Sequence, residues 1–210
     1  MNFGQLFQSA EDAVYEVMLW ILILPKTLYR SLISPRATMD YVDEEWKAEK
    51  PEERFDEYLS PVLLWLLTIV VPWTFTLILL NGEGRFDEQN ILKVTLYSMV
   101  IPFVYISWVE ILNKTPVKRS TLKRAFYKHC YALTPGFLLT LLFLALAVAT
   151  SGLFILVLVF GLAAVAALPA YEAFVFEAEL GVSYKKAFLY ALAPQLVLLV
   201  IALLAGVSLS

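Results

Sequence analysis

The sequence predicts an all-α integral membrane protein, with five transmembrane helices preceded by an N-terminal amphipathic interfacial helix and an acidic cytosolic segment. Three observations predict it. Of 210 residues, 60% are hydrophobic and 17% charged, against roughly 45–50% and about 25% in soluble domains, and mean hydropathy is +0.72. The charges are also uneven, most lying within residues 1–60 and 113–128 while residues 130–171 hold none. Finally, the basic residues segregate to one side once the apolar runs are laid out as spans.

In chain order, residues 1–60 form a cytosolic or interfacial region. Val17 to Leu24 is apolar but only eight residues long, and Leu24, Leu28 and Leu32 continue a stripe at helical spacing, with Lys26 and Arg30 on other faces. This pattern predicts an amphipathic helix over 13–33 lying in the membrane interface, with an oblique or re-entrant insertion as the alternative. The N-terminus carries Glu11, Asp12 and Glu16 before its first basic residue, Lys26. It therefore lacks the positive start and small-residue cleavage site of a secretory signal, and the segment is expected to be retained.

Residues 61–210 form the transmembrane domain. A hydrocarbon core of ~30 Å takes about 20 helical residues. Residues 61–80 are uncharged, and 91–112 carry Lys93 and Glu110 only near their ends. The uncharged run 130–171 is about twice too long for one span. Thr150-Ser151-Gly152 is its one plausible break, giving spans at 131–149 and 153–171, and 187–207 is the last. Ser34-Pro35, Ser60-Pro61 and Thr115-Pro116 read as helix starts, a hydroxyl cap followed by proline at the first helical position. Thr134-Pro135 falls inside a span and reads as a kink.

Fourteen of sixteen Lys and Arg residues fall on one side of this layout. Six precede the first span (Lys26, Arg30, Arg36, Lys47, Lys50, Arg54), six lie between spans two and three, and Lys185 and Lys186 lie between spans four and five. Only Arg85 and Lys93 fall opposite. Positive charge marks the cytosolic side, so the N-terminus is expected in the cytosol and the C-terminus outside, in the cytoplasmic membrane for a prokaryotic chain.

The cytosolic face divides by sign. Asp40 to Glu57 holds nine carboxylates against three basic residues, whereas Asn113 to His129 holds six basic residues and no acid. Two readings are open: independently solvated faces, or an acidic segment folded over a basic loop that could otherwise meet anionic lipid. Lys118, Arg119, Lys123, Arg124, Lys185 and Lys186 are the candidate lipid or partner contacts. Glu172, Glu177 and Glu179 follow the fourth span, where pairing with Lys185, Lys186 or the basic loop is expected before any cation site, and Gly181 reads as the helix C-cap.

Little points to chemistry. No Asp, Glu, Lys or Arg lies at mid-depth of a predicted span, where functional charges of pumps and transporters sit. Thr68, Thr74, Ser98, Ser107, Thr140 and Gln195 are the deepest polar groups, and hydroxyls commonly bond their own helix or a neighbour. Each span carries a proline, and Pro72, Pro102 and Pro194 are the candidate hinges. His129 is the sole histidine and Cys130 the sole cysteine. As sequence neighbours on a helix they point about 100° apart, which places them poorly as a catalytic pair. No disulfide, metal site or cofactor is expected, and no basic surface suggests nucleic acid.

Two helix entrances echo each other. Lys123-Arg124-Ala125-Phe126 with Tyr131-Ala132-Leu133-Thr134-Pro135 precedes one apolar run, and Lys185-Lys186-Ala187-Phe188 with Tyr190-Ala191-Leu192-Ala193-Pro194 precedes another. Duplication and generic interfacial anchoring both account for the echo. With Ser34-Pro35-Arg36-Ala37-Thr38 before the first span and the five-span layout, the chain resembles the Yip family of Ypt/Rab-GTPase-interacting membrane proteins over residues 34–207. The Asp-Leu-Tyr-Gly-Pro-like string of eukaryotic members is absent, so the likeness is to the prokaryotic branch. The resemblance implies a non-enzymatic membrane adaptor or scaffold holding a protein partner through its cytosolic segments, with self-association open. The alternative is a transporter or channel component passing a weakly polar or lipidic substrate between proline-broken helices.

Overall fold

In a computed structural model the structure describes residues 3–47, 55, 57–72, 88–114 and 119–207. All regular structure among these is helical: α1 (Phe3–Ile33), α2 (Pro35–Lys47), α3 (Pro61–Trp65) running into a π-helical turn (Leu66–Val70), α4 (Glu88–Asn113), α5 (Arg119–Ala149), α6 (Phe154–Leu180) and α7 (Tyr184–Val207). α5 and α6 are long and apolar enough to cross a membrane, and a third span exists if α1 and α2, bent 117° apart, count as one.

α1 contains the expected helix 13–33 and runs through Pro25 without a break. Trp20, Ile23, Leu24 and Leu28 pack inward, and Thr27 and Ser31 are buried beside them, which is the i, i+3/i+4 stripe of one helix face. The outward face differs from the expected polar one: Val14, Val17, Met18, Ile21 and Leu22 are all exposed. At Ser34 the chain turns sharply into α2, where Arg30 donates to the Ala37 carbonyl at 3.1 Å and Pro35 opens the new helix.

α3 starts as its sequence predicts, with Pro61 in the first turn and Ser60 Oγ accepting from Leu63 N–H at 3.4 Å. The expected span 61–80 is described only as far as Pro72, and the span 91–112 lies within α4. Thr68, Ser107 and Thr140 each donate to the carbonyl four residues back, at 2.6, 2.7 and 2.9 Å, so these hydroxyls add no free polarity to apolar helices. Thr74 and the side chain of Ser98 lie outside the described residues.

α5 and α6 form the hairpin expected from the break at 150–152, closed by Leu153 N–H donating to the Thr150 carbonyl at 2.8 Å. The stretches expected as spans at 131–149 and 153–171 fall within these helices, except that Leu153 is the N-cap of α6. At 31 and 27 residues the helices are about 46 and 40 Å long, so each exceeds a ~30 Å hydrocarbon core. Phe154 and Val148 beside the turn are 80% and 74% exposed, as suits an apolar solvent. Gly181 ends α6 in the left-handed region (φ 63°), its N–H on the Glu177 carbonyl at 3.0 Å. α7 packs back on α6, and Tyr105 of α4 donates to Gln195 Oε1 of α7 at 3.0 Å.

α5 and α6 approach closely at Gly136, where an added Cβ would stand 3.1 Å from Leu168 Cα and 3.4 Å from the Ala167 carbonyl oxygen. Backbone cannot yield as a flexible side chain does. Gly136→Leu is therefore expected to cost about 1–3 kcal/mol through overpacking, read as a lower unfolding temperature in detergent. An unchanged temperature would mean that the helices do not meet there.

Candidate functional site

Polar side chains gather at the end of the α5–α6 hairpin remote from its turn. α2 lies over this end as a cap. Met39, Tyr41 and Val42 of α2 join Phe55, Leu59 and Tyr131 in a buried cluster, and Phe55 meets Tyr127 edge-on at 5.4 Å. Aromatic pairs of this geometry add about 0.5–1.5 kcal/mol beyond area burial. Tyr131 Oη donates to the Leu59 carbonyl at 2.7 Å, and Leu59 N–H donates to Thr27 Oγ1 at 3.0 Å. These bonds hold the chain before α3 against α1 and α5. Phe55 itself has φ 66°, a conformation uncommon for a non-glycine residue, and its N–H reaches Glu45 at 2.7 Å. Burial, with Glu45 nearby, pushes the Tyr41 phenol well above its usual range.

Within this cap two cations and two anions close a ring across three helices. Arg124 Nε lies 2.7 Å from Asp43 Oδ1. Lys128 Nζ lies 2.8 Å from the same carboxylate and 2.6 Å from Glu179 Oε1, and Arg124 Nη2 completes the ring at 3.6 Å from Glu179. The Lys128 side chain is wholly buried, whereas Asp43 and Glu179 keep 30% and 19% of theirs exposed. A buried ammonium persists only when paired and hydrogen-bonded, so α2 and α6 each supply a carboxylate that α5 requires. Arg36 adds a bidentate pair to Glu177 at 3.0 and 3.1 Å. That pair raises Arg36 further above its ordinary value, but water screens it because Arg36 is exposed.

One residue further along α5 is a second polar pair. His129 Nδ1 stands 2.6 Å from Glu172 Oε2 on α6, and neither side chain has any exposure. Their other polar atoms, His129 Nε2 and Glu172 Oε1, have no hydrogen-bond partner among the described residues. Tyr105 of α4 and Phe176 of α6 flank the imidazole, with ring centroids 6.2 and 6.4 Å away.

The structure thus brings together one of the six candidate contacts, Arg124, with Lys128 and the acidic segment. Arg119, Lys123, Lys185 and Lys186 are exposed; Lys123 sits over Tyr127 and Lys186 over Tyr190, each at 5.7 Å. Lys118 lies outside the described residues, as do Thr115-Pro116 and, in the acidic segment, Glu49, Glu52, Glu53 and Asp56. Of the hinge candidates, Pro102 and Pro194 are buried inside α4 and α7, and Pro72 is exposed just past the π-turn. The three carboxylates expected beyond the fourth span find His129, Arg36 and Lys128, and their partners do not include Lys185 or Lys186.

Glu172 lies inside α6, which continues to Leu180 and ends at the expected Gly181 cap. One feature differs from the sequence reading. His129 is not idle beside Cys130 but is paired 43 residues away. No protein-family model, curated protein or solved structure matches the chain.

Proposed function

We propose that the protein is a five-span integral membrane protein of Yip type with a cytosolic N-terminus, acting as a non-enzymatic adaptor or scaffold that holds a protein partner through its cytosolic surface. The observation that carries this reading is the ion-paired cap. Counting about 20 residues, or ~30 Å, from the 150–152 turn reaches the levels of residues 130 and 173. The Asp43–Arg124–Lys128–Glu179 ring then lies just outside the hydrocarbon, on the side that holds most of the positive charge. Arg119, Lys123, Lys185 and Lys186 are exposed and would meet an acidic partner surface or anionic lipid on that side.

A photocrosslinker placed at Lys123 or Lys186 in intact membranes is expected to give a discrete protein adduct. Asp43→Lys, which repels the cap from α5, should lower its yield several-fold. A smear of adducts indifferent to Asp43→Lys, or solute flux from the purified protein alone in vesicles, would overturn the adaptor reading.

Two observations favour the transporter alternative. The π-turn Leu66–Val70 precedes Pro72, and π-bulges recur at functional sites. An apolar groove of about 560 Å³ also opens between α4 and α7, lined by Val100, Phe103, Val104, Trp108, Pro194 and Val197 among others. On that reading Pro72→Ala or Pro102→Ala changes substrate flux at least several-fold in vesicles, and absence of any flux removes it.

A further inference from the structure

His129 and Glu172 bring four heteroatoms to one place and use only two. Nδ1 and Oε2 face each other at 2.6 Å, both side chains are fully buried, and Nε2 and Oε1 are left without partners. Buried polar atoms are nearly always hydrogen-bonded, so two orphan atoms on one pair set it apart from the packed core around it. Neutral imidazole has one donor and one acceptor nitrogen. With Nδ1–H donating to the carboxylate, Nε2 presents a bare lone pair, Oε1 presents a bare carboxylate oxygen, and the pair carries one net negative charge. Among the described residues no group of three or more His, Cys, Asp and Glu residues forms that could hold a metal ion.

We propose that His129 and Glu172 form a buried proton-binding site. One proton from water adds at Nε2 while Nδ1–H stays on the Glu172 carboxylate, so the pair passes from a net charge of −1 to 0. An O–H bond of hydronium in the surrounding water breaks as the N–H bond forms, and a water molecule is released. The surroundings suit a single exchangeable charge. From α4, Tyr105 faces the imidazole while its hydroxyl is committed to Gln195 of α7. From α6, Phe176 closes one side, and on α5 itself Cys130 is buried next in sequence. α3 contributes Trp65 to the same core, with its indole Nε1 also unpartnered. The nearest cation in sequence, Lys128, is neutralised by Asp43 of α2 and Glu179 of α6. Those two partly exposed carboxylates lie toward the aqueous end, Glu179 being seven residues beyond Glu172 on the same face of α6. The inference is independent of whether the protein is an adaptor or a transporter.

Because His129 is the only histidine, the full chain labelled with isotopic histidine gives one imidazole in nitrogen NMR, in detergent or nanodiscs. The expected result is a bare Nε2 at high pH that gains a proton as pH falls, with helix content and elution volume unchanged. Glu172→Gln keeps the shape and removes the charge. It should abolish the uptake, because the imidazolium would then be an unpaired buried cation. An Nε2 that stays bare wherever the wild type is folded overturns the proposal. So does a Glu172→Gln protein whose imidazole titrates as the wild type does. Should that variant fail to fold, the wild-type titration decides alone.

Discussion

Lys128→Met is expected to destabilise the protein by about 2–4 kcal/mol. Removing one member of a buried ion pair costs roughly 3–5 kcal/mol because its partner is left uncompensated. The range is lowered here because Asp43 and Glu179 keep some exposure to water, which screens them. Two carboxylates would then face each other where one ammonium had stood. The cap should also loosen, so that protease cleaves α2 faster. The control is the triple variant Lys128→Met, Asp43→Asn, Glu179→Gln, which removes the charges together and should recover most of the loss. A loss below about 1 kcal/mol with no recovery in the triple variant would mean that the ring does not hold α2 to the hairpin.

His129→Leu is the second large effect, expected at about 3–5 kcal/mol, because Glu172 would remain in an apolar core without its partner. Glu172→Leu strands the imidazole in the same way. The double variant should cost less than the sum of the two, with a coupling of about 0.5–3 kcal/mol in the range found for contacting residues. Denaturation in detergent measures all three. Strict additivity would show that the two side chains do not interact.

Much of the hairpin was legible because its cause is local. An uncharged run too long for one span must break, and Thr150-Ser151-Gly152 was its one plausible breaking point. Gly181 and Ser60-Pro61 read equally directly, since a left-handed cap and a proline-led first turn are set by one or two residues. The partners of the carboxylates were harder, because pairing depends on the level at which two helices meet. That level was partly available: His129 lies 22 residues before Ser151 and Glu172 lies 21 after it, so an antiparallel hairpin brings them to one height. Which face each presents depends on helix rotation, and no spacing in the sequence reports it.

The cap was foreshadowed only by charge. Opposite signs in 40–57 and 113–129 were compatible with a clamp or with two solvated faces. Among the described residues the structure joins them at Asp43, where Lys128 is wholly buried. Burial of α2 rests as much on Met39, Tyr41 and Val42 as on charge. Those apolar residues are too few and too interspersed with carboxylates to stand out. Arg124, with pairs to both Asp43 and Glu179, is thereby withdrawn from the surface that Arg119, Lys123, Lys185 and Lys186 present.

The central claim, that the α5–α6 hairpin crosses a membrane with the ion-paired cap in the cytosol, is tested most directly by sided cysteine labelling. In a Cys130→Ala background, single cysteines at Ser151, Lys123 and Lys186 are exposed to a membrane-impermeant maleimide on intact cells. The account predicts that Ser151→Cys labels at once, while Lys123→Cys and Lys186→Cys label only after the membrane is permeabilised. Labelling of all three from the same side, or of Lys123→Cys and Lys186→Cys alone on intact cells, would contradict it.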